Sequence, residues 1–368
     1  ATLGWQDAES HEVTFEKRLS AADRSRDVRY TERTLQATLQ AEKTSALGKD
    51  WSHKLVYGTD FSQARLDNLV TGVTPPAYES YPLQRFPTTD ERTLALFAQS
   101  ELANEQWSVI PALRYDHVSL DAKKSALYPL DPASLSASAL TPKLGVIYRA
   151  ADAWQLFGNL AAGFKAPSPL QLNNYFENVT GYYKTIPNPN LKPEKSRTLE
   201  IGTRFNTASV NWEAAAFTGR YRDFIEELVV VGGTATPGDP LTYQAVNRGA
   251  VRLSGFELKG RVSLGPATTL RAAYGVTRGT DTVQNAPVNS VNPPKLVVGL
   301  DHKVGAWTLG ATVTHVAAKS AEDIQNTLTG TQTQFAPPAY TTLDLRAVWQ
   351  IQPKLKLSTT LRNLTDRK

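Results

Sequence analysis

Between Gly163 and Ser196 the sequence reads GFKAPSPLQLNNYFENVTGYYKTIPNPNLKPEKS. Two proline-punctuated phrases, FKAP and NPNLKPE, enclose Tyr175, Tyr182, Tyr183 and Phe176, together with the amides of Asn173, Asn174 and Asn178. Rings and amides at this density make a surface that can stack on a flat, largely apolar ligand and hydrogen-bond its polar edge. Pro167, Pro187, Pro189 and Pro193 stiffen the base of the segment, because proline fixes its own φ and restricts the residue before it. No histidine lies between Phe164 and Leu191.

Other chemistry is scarce. There is no cysteine, hence no disulfide framework, thiol nucleophile or Cys-based metal site. His11, His53, His117, His302 and His315 are scattered without paired spacing, so they suggest no metal centre. TSALGKD lacks the glycines and the Ser/Thr of a phosphate loop, and no Gly-x-Ser-x-Gly elbow is present. The net charge of +5 is spread among acids rather than clustered, which argues against a nucleic-acid partner. These observations point away from an enzyme and toward a binding surface.

The elements that must carry such a surface are strands. Period-2 alternation dominates. Leu199, Ile201 and Phe205 oppose Glu200 and Arg204. Trp307 and Leu309 share one face, as do Leu343 and Leu345, and Leu355 and Leu357. About sixteen strands are expected: 9–18, 28–43, 52–65, 92–104, 106–120, 142–151, 153–165, 196–207, 208–224, 241–249, 250–264, 266–279, 293–304, 305–318, 338–352 and 354–364. Many reach the roughly 10 residues of a tilted membrane crossing. Short links such as NTAS, LGPA and KVGA alternate with long polar ones at 66–91, 121–140, 165–195, 225–240, 280–292 and 319–337. A soluble sandwich has no need of that alternation, whereas an outer-membrane barrel has tight periplasmic turns and long extracellular loops. Mean hydropathy of -0.34 is compatible with it, since alternating strands average out as hydrophilic. The fold class expected is therefore all-β, a transmembrane antiparallel β-barrel whose apolar face meets outer-membrane lipid.

Five phrases carry a family resemblance. RTLALFAQSEL (92–102), ALTPKLGVIYRAADAWQLFGNLAAGFKAP (139–167), NPNLKPEKSRTLEIGTRF (188–205), NRGAVRLSGFELKGRV (247–262) and LRNLTDRK (361–368) occur in this order. Together they resemble the TonB-dependent outer-membrane receptors. The resemblance implies a barrel of about 22 strands around a plug. Residues 1–368 then read as the incomplete β-barrel domain of a longer receptor, with the plug and the terminal strand outside this chain. The absence of any Met, including an initial one, also fits a processed piece.

Within that family, the long link between FKAP and NPNL is similar to the haem/haemoglobin receptor branch. The resemblance implies haem as transported ligand, haem or a haemoprotein as extracellular partner, and import driven by the TonB-ExbB-ExbD energy-coupling complex through the plug. Many haem receptors place a histidine in this loop. Here Tyr183, then Tyr175, are the candidate axial ligands, since phenolate is a known ligand of haem iron. Tyr182, Phe176, Asn173 and Asn174 complete the expected ligand-binding surface. The alternatives are a ferric siderophore or vitamin receptor of the same family and, in other classes, a passive porin or a barrel enzyme.

Overall fold

The computed structural model describes residues 1–325 and 335–367, with Arg248 described by its backbone alone. In its first half the strands are β1 (Thr2–Glu16), β2 (Arg24–Leu47), β3 (Trp51–Val73), β4 (Thr89–Ala103), β5 (Trp107–Ala122), β6 (Leu135–Ala151) and β7 (Trp154–Lys165). A short helix α1 (Pro169–Asn173) and a small hairpin, β8 (Phe176–Asn178) and β9 (Tyr183–Ile186), follow. The second half holds β10 (Glu194–Asn206), β11 (Val210–Gly232), β12 (Leu241–Ser263), β13 (Thr268–Asp281), the two-residue β14 (Ala286–Pro287) and β15 (Lys295–Val304). It ends with β16 (Trp307–Val316), β17 (Tyr340–Gln352) and β18 (Leu355–Leu361).

Fifteen of these strands form one antiparallel meander, each paired with the next; β7 pairs with β10 and β13 with β15 across the small insertions. Turns of two to four residues close one end throughout, and the long connections close the other. The connection expected at 319–337 lies partly outside the described residues.

The outward face carries the expected apolar residues. Leu199, Ile201, Trp307, Leu309, Leu345, Leu355 and Leu357 are exposed, while Leu343 and Phe205 are half-buried, Phe205 through stacking on Trp212 at 6.1 Å. Cross-strand polar contacts occupy the other face. Asn159 donates to Glu200 at 3.2 Å, and Asp301 pairs with Arg271 at 2.8 Å and Arg346 at 3.3 Å. Aromatic pairs gather at the short-turn end: Trp107 on Tyr148 at 4.5 Å and Trp307 on Trp349 at 5.3 Å. Such pairs form the girdle that amphipathic rings make at a membrane interface.

Two expectations are corrected. Residues 241–249 and 250–264 are one strand, β12, not two. The NRG triplet at 247–249 looks like a turn, yet Gly249 has no positive φ and the Asn247 amide is spent on distant backbone. The loop read as 66–91 is also shorter, because β3 runs on to Val73 and β4 begins at Thr89. β2, β3, β11 and β12 have 23 or 24 residues each, more than twice what a tilted crossing needs, so they rise well beyond the bilayer.

Candidate functional site

The site is built on the two phrases that frame the 166–193 connection. Ser168 caps α1 in a reciprocal box with Gln171, and Pro169 sits in its first turn, where a missing N–H costs nothing. This seats Leu172 at 0% exposure beside Leu191 of the NPNL phrase, against Leu120 of β5, Ile225 of β11 and Ala245 of β12. Sealing two leucines from water stabilises the seat by about 1.5–3 kcal/mol each.

Asn188, Lys192 and Glu194 of NPNLKPE each hold a partner segment. Asn188 receives the α1 end, its N–H donating to the Leu172 carbonyl at 3.1 Å, while its Nδ2 donates to the Ala245 carbonyl at 2.9 Å. The Lys192 N–H donates to Asn247 Oδ1 at 2.8 Å, and Asn247 Nδ2 returns a bond to the Lys192 carbonyl at 2.9 Å. Glu194 accepts the Ile225 N–H at 2.9 Å and faces Lys165 of FKAP at 3.6 Å. The two phrases therefore clamp the loop to β7, β11 and β12.

Above the clamp the candidate residues separate. Asn173 is corrected out of the ligand surface. It is 1% exposed, its side chain accepts from the Ala133 N–H at 2.8 Å and donates to the Ala133 carbonyl at 2.9 Å. Tyr128 donates to its carbonyl at 2.7 Å, and burial pushes that phenol up to about 12, with Tyr175 nearby adding to it. Asn174 is half-buried and its N–H closes the helix onto the Leu170 carbonyl at 2.8 Å.

Tyr175 is held by its N–H on the Arg85 carbonyl at 2.9 Å, and its hydroxyl donates to Glu177 at 3.1 Å. Burial first and then the Glu177 carboxylate raise its pKa, the opposite of what a phenolate ligand needs. Phe176 lies under the Arg85 guanidinium at 4.5 Å, between Tyr78 at 6.1 Å and Tyr183 at 5.5 Å.

Asn178 accepts the Gly181 N–H at 2.7 Å and so closes the hairpin turn. Tyr182 then adopts φ 53°, a left-handed conformation uncommon for a bulky residue, with its carbonyl accepting the Leu241 N–H at 2.8 Å. β9 adds in parallel to the top of β12, pairing Tyr183 with Leu241 and Thr185 with Tyr243. The result is a cavity of about 1080 Å³ at the long-loop end, lined by Tyr182, Tyr183, Tyr243, Phe224, Leu228 and Leu241, with Lys165, Glu226 and Glu227 at its wall. Tyr175 lies elsewhere, on a separate cavity of about 310 Å³. Nothing in the sequence marks Tyr243 and Phe224, which β12 and β11 bring to the first cavity, or Tyr78 and Arg85, which the 74–88 connection brings to the second. Among the described residues no group of three His, Asp or Glu could hold a metal ion.

The sequence and the fold of this chain match known proteins. The family model "TonB dependent receptor-like, beta-barrel" matches residues 2–364, and the chain belongs to that family. Its members are receptors and transporters of the bacterial outer membrane, not enzymes. The chain is 26% identical over 301 residues to the "Probable hemoglobin and hemoglobin-haptoglobin-binding protein 4" of Haemophilus influenzae, covering 76% of this chain and 30% of that protein. Its fold is similar to the ferric citrate transporter FecA in the unliganded form, at TM-score 0.71 and 16% identity, covering 99% of this chain and 54% of that one. It is similar too to the Serratia marcescens hemophore receptor HasR, in a complex with its hemophore HasA and heme, at TM-score 0.70 and 16% identity, covering 99% and 63%. The chain thus spans about a third of that curated relative and half or more of these structures.

Proposed function

We propose that this chain is the barrel part of a receptor that binds haem, free or presented by a haemoprotein, at its extracellular mouth. Import is then driven by the TonB-ExbB-ExbD complex through a plug carried elsewhere in the protein. The observation that carries this reading is the 1080 Å³ cavity with Tyr182, Tyr183 and Tyr243 on its wall. It lies at the upper end of the size range of small-molecule sites and offers rings for a porphyrin face. The relative named for haemoglobin binding supports it.

Tyr183 is the first candidate for the axial ligand and Tyr182 the second, because both open on this cavity and Tyr175 does not. Lys165 is placed to meet a propionate, provided it leaves Glu194. Active import follows from affinity: a nanomolar site holds its cargo by about 12 kcal/mol, so release requires work.

The test is haem titration of the receptor, read by absorption and resonance Raman, for the parent and for Tyr→Phe at 175, 182 and 183. Loss of an iron–phenolate band in Tyr183→Phe or Tyr182→Phe, with Tyr175→Phe unchanged, supports the reading. Parent-like spectra and affinity in the triple variant reject tyrosine ligation. A parent that binds a ferric siderophore and no haem rejects the ligand assignment altogether.

A further inference from the structure

The 310 Å³ cavity, which the haem reading does not use, sits where the 74–88, 123–134 and 166–193 connections meet. Gln84 lines it and is 6% exposed. Its amide nitrogen is committed, donating to Asp67 Oδ1 at 2.8 Å and Thr88 Oγ1 at 3.1 Å, which fixes the amide's orientation. Its Oε1 is buried and meets no donor among the described residues. A buried acceptor in that state calls for a donor from outside the chain.

The charges lining this cavity favour a cation. Glu79, only 4% exposed, is engaged by the Arg85 guanidinium and by the Tyr81 hydroxyl at 2.7 Å, so that pair neutralises itself. Among the described residues the Glu177 carboxylate accepts only the Tyr175 hydroxyl. Lys184 stands opposite Glu177 in the hairpin register, yet the two form no ion pair, and among the described residues no other cation pairs with Glu177. The lining itself therefore carries one carboxylate in excess of its cations, while Arg26 of β2 acts on Glu79 from outside the lining. Tyr78 and Tyr175 add ring surface, and Pro82, Leu127 and Pro129 add apolar wall.

We propose that this cavity binds an alkylammonium group. An ammonium has three donors and no acceptor, which suits the Glu177 carboxylate and, with a small side-chain shift that opens it to the cavity, the sealed Gln84 Oε1. The tyrosine rings can attract the remaining charge through their faces, and the apolar wall can hold the methylene stem. The group can come from a lysine side chain of a protein at the cell surface or from a free amine; the chemistry is shared.

The test uses the purified full receptor in detergent and two probes, Nα-acetyl-lysine methylamide and its Nε-acetylated form, followed by calorimetry and saturation-transfer NMR. The free ammonium should bind at least about tenfold more tightly than the acetylated probe. Glu177→Gln, which keeps the shape and an acceptor for Tyr175, should weaken it by about tenfold, and Tyr78→Leu should weaken it too. A lysine tetrapeptide binding more tightly than diaminopentane assigns the group to a protein partner, and equal binding assigns it to a free amine; either supports an ammonium site. Equal binding of the two lysine probes, no binding of either, or a Glu177→Gln variant that binds like the parent overturns the proposal. Haem titration of the same variants is a separate readout, so failure of the haem assignment leaves this result intact.

Discussion

Lys192 and Asn247 exchange two hydrogen bonds, backbone N–H to Oδ1 at 2.8 Å and Nδ2 to backbone carbonyl at 2.9 Å. Asn247 Nδ2 also reaches the Asp223 carbonyl at 2.6 Å, where the chain turns through φ 55°. One amide thus ties the end of the mouth loop to two strands. Asn247→Ala should cost about 1–3 kcal/mol locally by leaving these backbone groups unpaired. Hydrogen exchange at 188–194 should rise while exchange in β15–β17 stays unchanged. Asn247→Asp keeps the acceptor but sets a carboxylate oxygen against the Lys192 and Asp223 carbonyls, so it should cost at least as much as Asn247→Ala.

Leu191 fills the cluster with Leu172, Leu120, Ile225 and Ala245. Leu191→Ala should leave a cavity costing about 2–5 kcal/mol. The expected signature is a loosened loop and weakened ligand binding, with the barrel's heat resistance in detergent nearly unchanged. A large drop in barrel melting temperature would instead make Leu191 part of the global core.

Leu345 lies within β17, opposite Ala311 and Leu361 on the outward face. Leu345→Arg should destabilise the membrane-inserted barrel by about 2–4 kcal/mol at the midplane. Replacing the inward neighbour Asp344 by Asn should cost much less. Urea titration in lipid vesicles measures both.

Tyr128 holds the Asn173 carbonyl, and burial raises its pKa to about 12. Its protonated form is the one the folded loop favours. The stabilisation is therefore complete below the ordinary tyrosine value near 10 and is lost as pH climbs through about 12. In an alkaline titration its tyrosinate absorption should appear late, together with that of Tyr81, which burial and Glu79 also push up to about 12, and Tyr128→Phe should shrink that late step by one phenol. Loss of the hydrogen bond should cost about 1 kcal/mol.

The strands were legible because a sheet with lipid on one face and water on the other forces alternation on every strand. Leu199/Glu200 and Leu309/Gly310 report it directly. The continuity of β12 through Asn247 was not legible, because the partners that hold that residue lie in two other segments. The site was legible as a segment but not as a surface. Asn173 looks like a free amide in sequence and is consumed by Ala133 of another loop. Tyr175 and Tyr183 both lie in the loop, yet helix α1 and the β8–β9 hairpin turn them toward different cavities. Tyr243 joins Tyr183 only through a parallel pairing that no local pattern encodes.

The excess length of β12 sets the height of the cavity. The residues next to Ser263 make the crossing, and Tyr243 stands about ten residues beyond it, roughly 20 Å above the bilayer once tilt is allowed for. Allowing about 5–7 Å for the headgroup layer, that leaves more than one Debye length of about 8 Å at physiological salt. A charged ligand arriving at Tyr243 therefore feels the loops and hardly feels the lipid headgroups. Capture should depend on ionic strength only through the receptor's own charges and stay the same whether the surrounding leaflet is anionic or neutral.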